Sequence, residues 1–251
     1  MVDLGPMFFA VAIPAVLFAG VSKGGFGGGV AFAASVFLAL ILTPGQAIGL
    51  MLPLLMVMDL TAVRAYWRRW DWPVARRLML GALPGVALGA LLYKVADADV
   101  VRLLIGLVAL GFVAFQIARA RGWLRIERRS VSPVVEYFWG GVAGLTSFIS
   151  HAGGPPAAVY LLTRGLTKTT YQATTVLTFW AINAFKLVPY GALGIFSRDT
   201  LTASLILAPV AIAGIQLGVW LHRIVNERLF FALTYAFLAI TGAKLIFDAL
   251  T

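Results

Sequence analysis

The chain has 251 residues, 61% hydrophobic and 12% charged, with a mean hydropathy of +0.93. Because a membrane-spanning helix takes about 20 apolar residues, its successive apolar segments leave no room for a soluble catalytic domain. The lack of cysteine excludes disulfides, and two histidines argue against a metal site, so we expect no metal and no cofactor. The net charge of +10 lies in short loops beside apolar segments, where basic residues set membrane topology. We therefore expect the lipid bilayer, and no nucleic acid, as a partner.

The first half of the chain predicts a broken helical hairpin followed by three helices. The apolar segment 5–21 has no small-residue cleavage site after it, so we interpret it as a retained helix. A glycine-rich break separates it from a second apolar arm, 28–42. Backbone without helical hydrogen bonds survives in a membrane only where protein buries it or where it lines a cavity. Three apolar helices are then predicted at 46–65, 77–93 and 100–118.

The second half repeats this pattern, with a broken segment followed by helices at 171–190, 201–221 and 229–248. The glycine pairs at 27–28 and 153–154 align at an offset of 126 residues, as do Gln46 and Gln172. We predict a first membrane repeat at 1–120, a basic linker at 121–132 and a second repeat at 133–251. Two spacings predict faces of close helix packing: Gly85-x3-Gly89 and Gly214-x3-Gly218.

The basic residues predict how the two halves face the membrane. Arginine clusters at 64–77 and 119–129 are two helices apart, so the positive-inside rule places both in the cytoplasm. The linker 121–132 is then cytoplasmic and both termini are periplasmic. A hairpin returns to its starting side and three helices do not, so the halves have opposite orientations, as in many secondary transporters. The predicted fold class is an all-α polytopic integral membrane protein with two inverted-topology repeats, each a glycine-broken, re-entrant hairpin plus three transmembrane helices.

The evidence for re-entry differs between the hairpins. The stretch between Pro155 and Arg164 gives about 13 Å of helix, too short to span a bilayer. Hairpin 2 is therefore predicted to enter and leave on one side. Hairpin 1 has longer arms, and its sequence allows it either to dip into the membrane or to cross it.

Lys23 carries the strongest single indication of a binding site. A lysine that ends an apolar run needs water, an acid or an anion, although it could also snorkel to the membrane surface. The adjacent glycines allow close backbone approach, and a helix starting near Gly28 would present free amides and its positive dipole end. We predict substrate contacts at the tip of hairpin 1 from Ser22, Lys23, Gly24, Gly25, Gly27, Gly28 and Gly29.

His151 occupies the matching place in hairpin 2, ahead of Gly153, Gly154 and two prolines. Proline suits the first positions of a helix, so a helix start again faces the tip. Two positive helix ends together with Lys23 predict an anion site, with His151, Gly153 and Gly154 as further substrate contacts. His151 could bind substrate when protonated or titrate during transport, but a purely structural histidine is an equally open alternative.

Two ionisable residues, Asp59 and Lys186, lie inside apolar helices at nearly matching positions of the repeat. Such groups pair, face the bundle interior or mark proton routes, so proton coupling through Asp59, His151 and Lys186 is one hypothesis. The alternatives are pairing of Asp59 with Arg64 or another loop arginine, and interfacial snorkelling of Lys186. Asn183 is on the same face as Lys186 and is predicted to contact substrate. Gln46 and Gln172 are interpreted as braces of helix starts.

Several motifs together resemble the TauE/SafE family of sulfite exporters over nearly all of the chain. They are Gly24-Gly25-Phe26-Gly27-Gly28-Gly29, Leu52-Pro53-Leu54, Trp70-Asp71-Trp72 ahead of Leu83-Pro84-Gly85, and His151-Ala152-Gly153-Gly154-Pro155-Pro156 followed by Gly165-Leu166-Thr167-Lys168. The resemblance implies export of a small sulfur-containing anion, such as sulfite or sulfoacetate, across the bacterial inner membrane. It implies no reaction and no catalytic residues.

The predicted function is therefore a secondary transporter that works by alternating access, with its anion at the midplane between the hairpin tips. Three alternatives stay open: an anion channel of the same fold, a membrane subunit that binds a partner protein, and a membrane-embedded enzyme. An enzyme would need clustered carboxylates, a serine with a base, or several histidines, so we expect none. A homodimer is an ordinary expectation for such a protein, without support from particular residues.

Overall fold

The computed structural model describes residues 4–25, 30–123, 132–221 and 227–251. Within these residues all regular secondary structure is helical. The predicted linker, 121–132, falls largely outside them. The helices are α1 (Pro6–Gly25), α2 (Ala33–Leu38), α3 (Pro44–Ala65), α4 (Trp72–Val95), α5 (Ala98–Ala120), α6 (Pro133–Ser150), α7 (Gly154–Thr163), α8 (Lys168–Ala192), α9 (Arg198–Leu221) and α10 (Glu227–Leu250).

Helix starts follow from capping side chains just ahead of the apolar runs. Thr43 and Gln46 form a capping box at α3, so the interpretation of Gln46 as a brace is confirmed. Asp71 and Asp97 accept hydrogen bonds from the first turns of α4 and α5, and Thr167 does the same at α8. Each cap satisfies an amide that has no partner within its helix. The six helices predicted outside the hairpins, α3–α5 and α8–α10, begin and end within five residues of their predicted bounds.

Hairpin 1 differs from its prediction in both arms. Helix α1 continues to Gly25, so Lys23 lies in its last turn and not beyond it. The described part of the second arm, predicted at 28–42, contains a helix from Ala33 to Leu38 after a turn at 30–32. The expected helix start near Gly28 lies outside the described residues. The predicted contacts Gly27, Gly28 and Gly29 lie outside the described residues.

Hairpin 2 turns within three residues. His151 caps α6 in the left-handed conformation, with φ of 59°, and its amide donates to the carbonyl of Ser147. Helix α7 then begins at Gly154 and has 10 residues, which gives about 15 Å. This is half of the roughly 30 Å hydrocarbon core of a bilayer, so the second arm is too short to span it.

The first arm of each hairpin packs against the central helix of the other half. The largest helix–helix contacts join α6 to α4 and α1 to α9. A Cβ atom at Gly85 would overlap the carbonyl oxygen of Gly141, and one at Gly214 would lie 2.8 Å from the carbonyl oxygen of Leu17. Only glycine allows backbones this close, so the predicted packing faces are confirmed. The helices α3 and α8 contact each other, and they also contact α9 and α4, respectively. The helices α5 and α10 contact each other as well.

The chain is an all-α, multi-pass membrane protein. Helix α8 has 25 residues but does not reach the hydropathy of a candidate span, because it carries the polar side chains that face the protein interior. By length and composition, five stretches of the described helices can cross a membrane: Pro6–Gly24, Pro44–Arg64, Trp72–Val95, Ala98–Ala120 and Arg198–Gly218.

Candidate functional site

The two hairpin tips meet at a small cavity of about 30 Å³ between α3 and α8. One water molecule needs roughly 10–15 Å³ on this measure, so the cavity has room for about two. Its walls combine polar side chains with two aromatic rings. The lining residues are Lys23, Ala31, Phe32, Leu55, Asp59, Ala62, Ser147, His151, Gly154, Gln172, Thr175, Val176, Phe179 and Asn183.

On the side of hairpin 1, Lys23 forms an ion pair with Asp59 of α3. The Lys23 ammonium donates to Oδ1 of Asp59, and Nδ2 of Asn183 donates to Oδ2 over 2.6 Å. The Asp59 side chain is 2% exposed, against 12% for that of Lys23. The alternative partner Arg64 is exposed. Five residues correspond to a rotation of about 500° along a helix, which points the two side chains to different faces, so that pairing was wrong.

On the side of hairpin 2, Lys186 of α8 is fully buried. Its ammonium lies 3.0 Å from both the carbonyl oxygen and Oγ of Ser147, and 2.7 Å from Nδ1 of His151. Nε2 of His151 lies 3.0 Å from the carbonyl oxygen of Ile48. A carbonyl only accepts, so Nε2 carries the imidazole proton and Nδ1 accepts from Lys186. With no exposed surface, Lys186 does not snorkel, and that alternative is wrong.

With Lys186 protonated, these contacts give the site a net positive charge. Lys23 and Asp59 neutralise each other, and the described ion pairs leave Lys186 without a carboxylate partner. Gly154, the first residue of α7, lines the cavity and adds the positive end of a helix dipole. The prolines that follow Gly154 have no N–H, so this helix start attracts an anion mainly through the electric field of the helix dipole and less through hydrogen bonds. The arrangement suits a small anion.

Other predicted contacts lie behind the cavity wall. Ser22 is fully buried, and its hydroxyl has no hydrogen-bond partner in the described part of the chain. A Cβ at Gly24 would collide with the backbone of Ile215 on α9, and Gly25 ends α1. A Cβ at Gly153 would lie 2.6 Å from the carbonyl oxygen of Ala143. Packing explains Gly24 and Gly153, and substrate binding by Ser22 and these three glycines stays a prediction.

Sequence reasoning did not place three polar residues in the cavity. Gln172 was interpreted as a brace of a helix start, which is wrong: Thr167 caps α8, and Nε2 of Gln172 donates to the carbonyl oxygen of Lys23 over 3.4 Å. Ser147 and Thr175 also line the cavity. Ser147 precedes His151 by four residues, about one helical turn, and this spacing could have indicated that the two residues lie on the same face. An isolated serine or threonine in an apolar helix is too common to stand out.

Comparison with known proteins gives one match. A protein-family model described as sulfite exporter TauE/SafE matches residues 12–245, almost the whole chain. No curated protein and no solved structure matches the chain. The family consists of transporters and not enzymes, in agreement with a site that holds charged and amide groups around a small cavity. The chain therefore belongs to the TauE/SafE family of sulfite exporters, which are membrane transporters of small anions.

Proposed function

We propose that this protein exports sulfite or a similarly small sulfur-containing anion across the bacterial inner membrane, and that the anion binds in the cavity between the hairpin tips. The observation that best supports this proposal is the set of charged side chains around that cavity. Lys186 is fully buried just behind its wall, and Lys23, whose side chain is 12% exposed, lines the cavity together with the buried acid Asp59. A buried net charge is costly unless it is compensated, and a bound anion supplies the compensation.

The anion reaches Lys23 by displacing Asp59 from it. Oxygen atoms of the substrate then accept from the Lys23 ammonium and from the amide groups of Asn183 and Gln172, all of which line the cavity. Hydrogen bonds to charged groups contribute about 1.5–3 kcal/mol each. The ion pair keeps both charges satisfied while the cavity is empty, so the empty site does not collapse or fill with an unwanted ion.

Alternating access is proposed to follow from the paired packing of the two repeats, 1–120 and 133–251. Each hairpin arm is fixed to the central helix of the opposite repeat, α1 to α9 and α6 to α4. These two pairs form natural rigid bodies on either side of α3 and α8, and their relative rocking would open the cavity to one side at a time. A cavity of about 30 Å³ supports a carrier over a channel, which needs a continuous pore.

The proposed orientation has the linker 121–132 in the cytoplasm and both termini in the periplasm. A monoanion that crosses without a coupled ion gains about 2.3 kcal/mol per 100 mV when it is exported down an inside-negative potential. The chain has no cysteine, so single cysteines introduced at Arg121 and at Lys94 can be labelled separately in intact cells. A membrane-impermeant maleimide should label the Lys94 position and not the Arg121 position. The reverse pattern would overturn the orientation.

Transport is tested with purified protein in liposomes loaded with sulfite. Efflux should saturate with sulfite concentration and should be strongly reduced in Lys23→Ala. The matched control is Lys244→Ala, which removes a lysine that pairs with Asp248 on the surface of α10. Efflux no faster than from protein-free liposomes, for sulfite and for sulfoacetate, would refute the proposal.

A further inference from the structure

We propose that Lys186 and His151 form a proton-binding site, and that the protein moves one proton together with each anion. The inference rests on the anion transport proposed above and adds a second transported ion. Lys186 is the largest charged side chain that is completely buried in the described structure. Its three contacts are all with neutral acceptors: the Ser147 carbonyl, the Ser147 hydroxyl and His151 Nδ1.

The hydrogen-bond groups around Lys186 are satisfied in both of its protonation states. As an ammonium it donates to all three acceptors. As a neutral amine it donates to the Ser147 carbonyl and to His151 Nδ1, and accepts from the Ser147 hydroxyl, whose hydrogen rotates toward it. Neither state leaves a buried polar atom without a partner, which would be destabilising. The site can therefore gain and lose a proton without rearrangement of its neighbours.

While the cavity is empty, no described ion pair joins the Lys186 ammonium to a carboxylate. Lysine loses its proton readily when it is buried. Of the other ionisable groups packed around it, Lys23 and Asp59 neutralise each other. The Tyr190 hydroxyl donates to the carbonyl of Phe148, and its ring lies 5.8 Å from the Lys186 ammonium. Tyr93 packs its ring against Phe148. Both tyrosines are neutral, so of these two side chains only the ring face of Tyr190 favours the ammonium.

Arrival of the anion changes this balance. With the cavity empty, a protonated Lys186 leaves the site with one uncompensated positive charge, and a bound monoanion cancels it. The anion and the proton therefore bind cooperatively, and each must strengthen binding of the other by the same factor. His151 lines the cavity and touches Lys186, so it is the link between the two ions.

The coupled cycle requires no co-reactant. While the cavity is open to the cytoplasm, a proton from water forms an N–H bond on the Lys186 amine and the anion enters. After reorientation the anion leaves, the N–H bond breaks, and the proton passes to water in the periplasm. A monoanion such as bisulfite then crosses with no net charge, so the membrane potential neither drives nor opposes its export.

The experiment measures sulfite efflux from proteoliposomes at a mildly acidic pH, where bisulfite predominates. A potential is imposed with potassium and valinomycin, and an internal pH dye reports protons. Wild type and the surface control Lys244→Gln should move one more proton per sulfite than Lys186→Gln, at a rate that the potential does not change. Lys186→Gln should bind sulfite at least tenfold more weakly and show efflux that follows the potential.

Each outcome decides a specific claim. Wild-type efflux that follows the potential overturns the inference while the proposed anion transport stands. A Lys186→Gln variant that keeps the wild-type proton ratio also overturns it, because the proton must then bind elsewhere. If Lys186→Gln fails to fold, the wild-type response to potential decides alone. Absence of efflux above protein-free liposomes refutes the proposed function, and the coupling with it.

Discussion

Asp59 competes with the substrate for Lys23, so its removal should tighten anion binding. In the structure Oδ1 of Asp59 accepts a hydrogen bond from the Lys23 ammonium, and Oδ2 accepts one from Nδ2 of Asn183. Asp59→Asn keeps the size of the side chain and removes its charge. The amide still reaches Asn183, but it no longer forms an ion pair with Lys23. The lysine is then free for the incoming anion, and the charge of the empty site rises by one.

The expected gain in sulfite affinity equals the free energy of the Lys23–Asp59 hydrogen bond, because the anion no longer has to displace it. A hydrogen bond to a charged group contributes about 1.5–3 kcal/mol. Since each 1.4 kcal/mol corresponds to a factor of ten, sulfite should bind Asp59→Asn about 10–150-fold more tightly than wild type. The same gain opposes release, because Asp59 no longer returns to Lys23 when the anion leaves. Turnover should therefore fall while affinity rises.

Titration calorimetry of sulfite into the purified protein measures the affinity directly. The matched control is Glu136→Gln, which neutralises another buried carboxylate. Glu136 bonds to Arg77 at 3.2 Å on the α4–α6 interface and does not line the cavity. Glu136→Gln removes a buried ion pair but leaves Lys23 paired with Asp59. Its sulfite affinity should therefore equal that of the wild-type protein. Asp59→Asn that binds sulfite no more tightly than Glu136→Gln would refute the competition.

Three further predictions follow from the same geometry. Lys23→Met should weaken sulfite binding about 10–150-fold by calorimetry, because it removes one charge-assisted bond. Gly85→Ala should lower the free energy of unfolding by about 1–3 kcal/mol in thermal unfolding, since its methyl group would overlap α6. The control is Gly111→Ala, which should be neutral or stabilising because the new methyl group meets nothing within 4 Å. Phe179→Ala should widen the cavity and raise the ratio of sulfoacetate to sulfite efflux about 10–200-fold, the range for pocket discrimination of small groups.

The arrangement of helices was largely predictable because membrane helices follow hydropathy and end at capping residues. Runs such as α4 and α5 are apolar and long, and Asp71 and Asp97 stand at their starts. Hairpin 1 was the exception. A glycine run marks a break in a helix but does not show where the next helix begins, so the sequence could not distinguish a 15-residue arm from the six-residue helix α2.

The site residues were predictable one by one, but their pairing was not. Lys23, Asp59 and Lys186 stand out because ionisable groups are expensive in apolar helices. Which of them meet depends on how far each hairpin tip reaches into the bundle. That depth is set by packing of α1 on α9 and of α6 on α4, contacts between distant parts of the chain that have no local signature.

The two predicted repeats place ionisable pairs at matching positions with different chemistry, and we expect this difference to make the proposed site select anions. In repeat 1 the hairpin tip meets the third helix through Lys23 and Asp59, which are 36 residues apart. In repeat 2 it meets the corresponding helix through His151 and Lys186, which are 35 apart. An acid at both helix positions would leave the cavity with no excess positive charge and no reason to prefer an anion. A base at both would leave Lys23 without a partner when the site is empty. One acid and one lysine keep the empty cavity stable while they reserve one positive charge for the substrate.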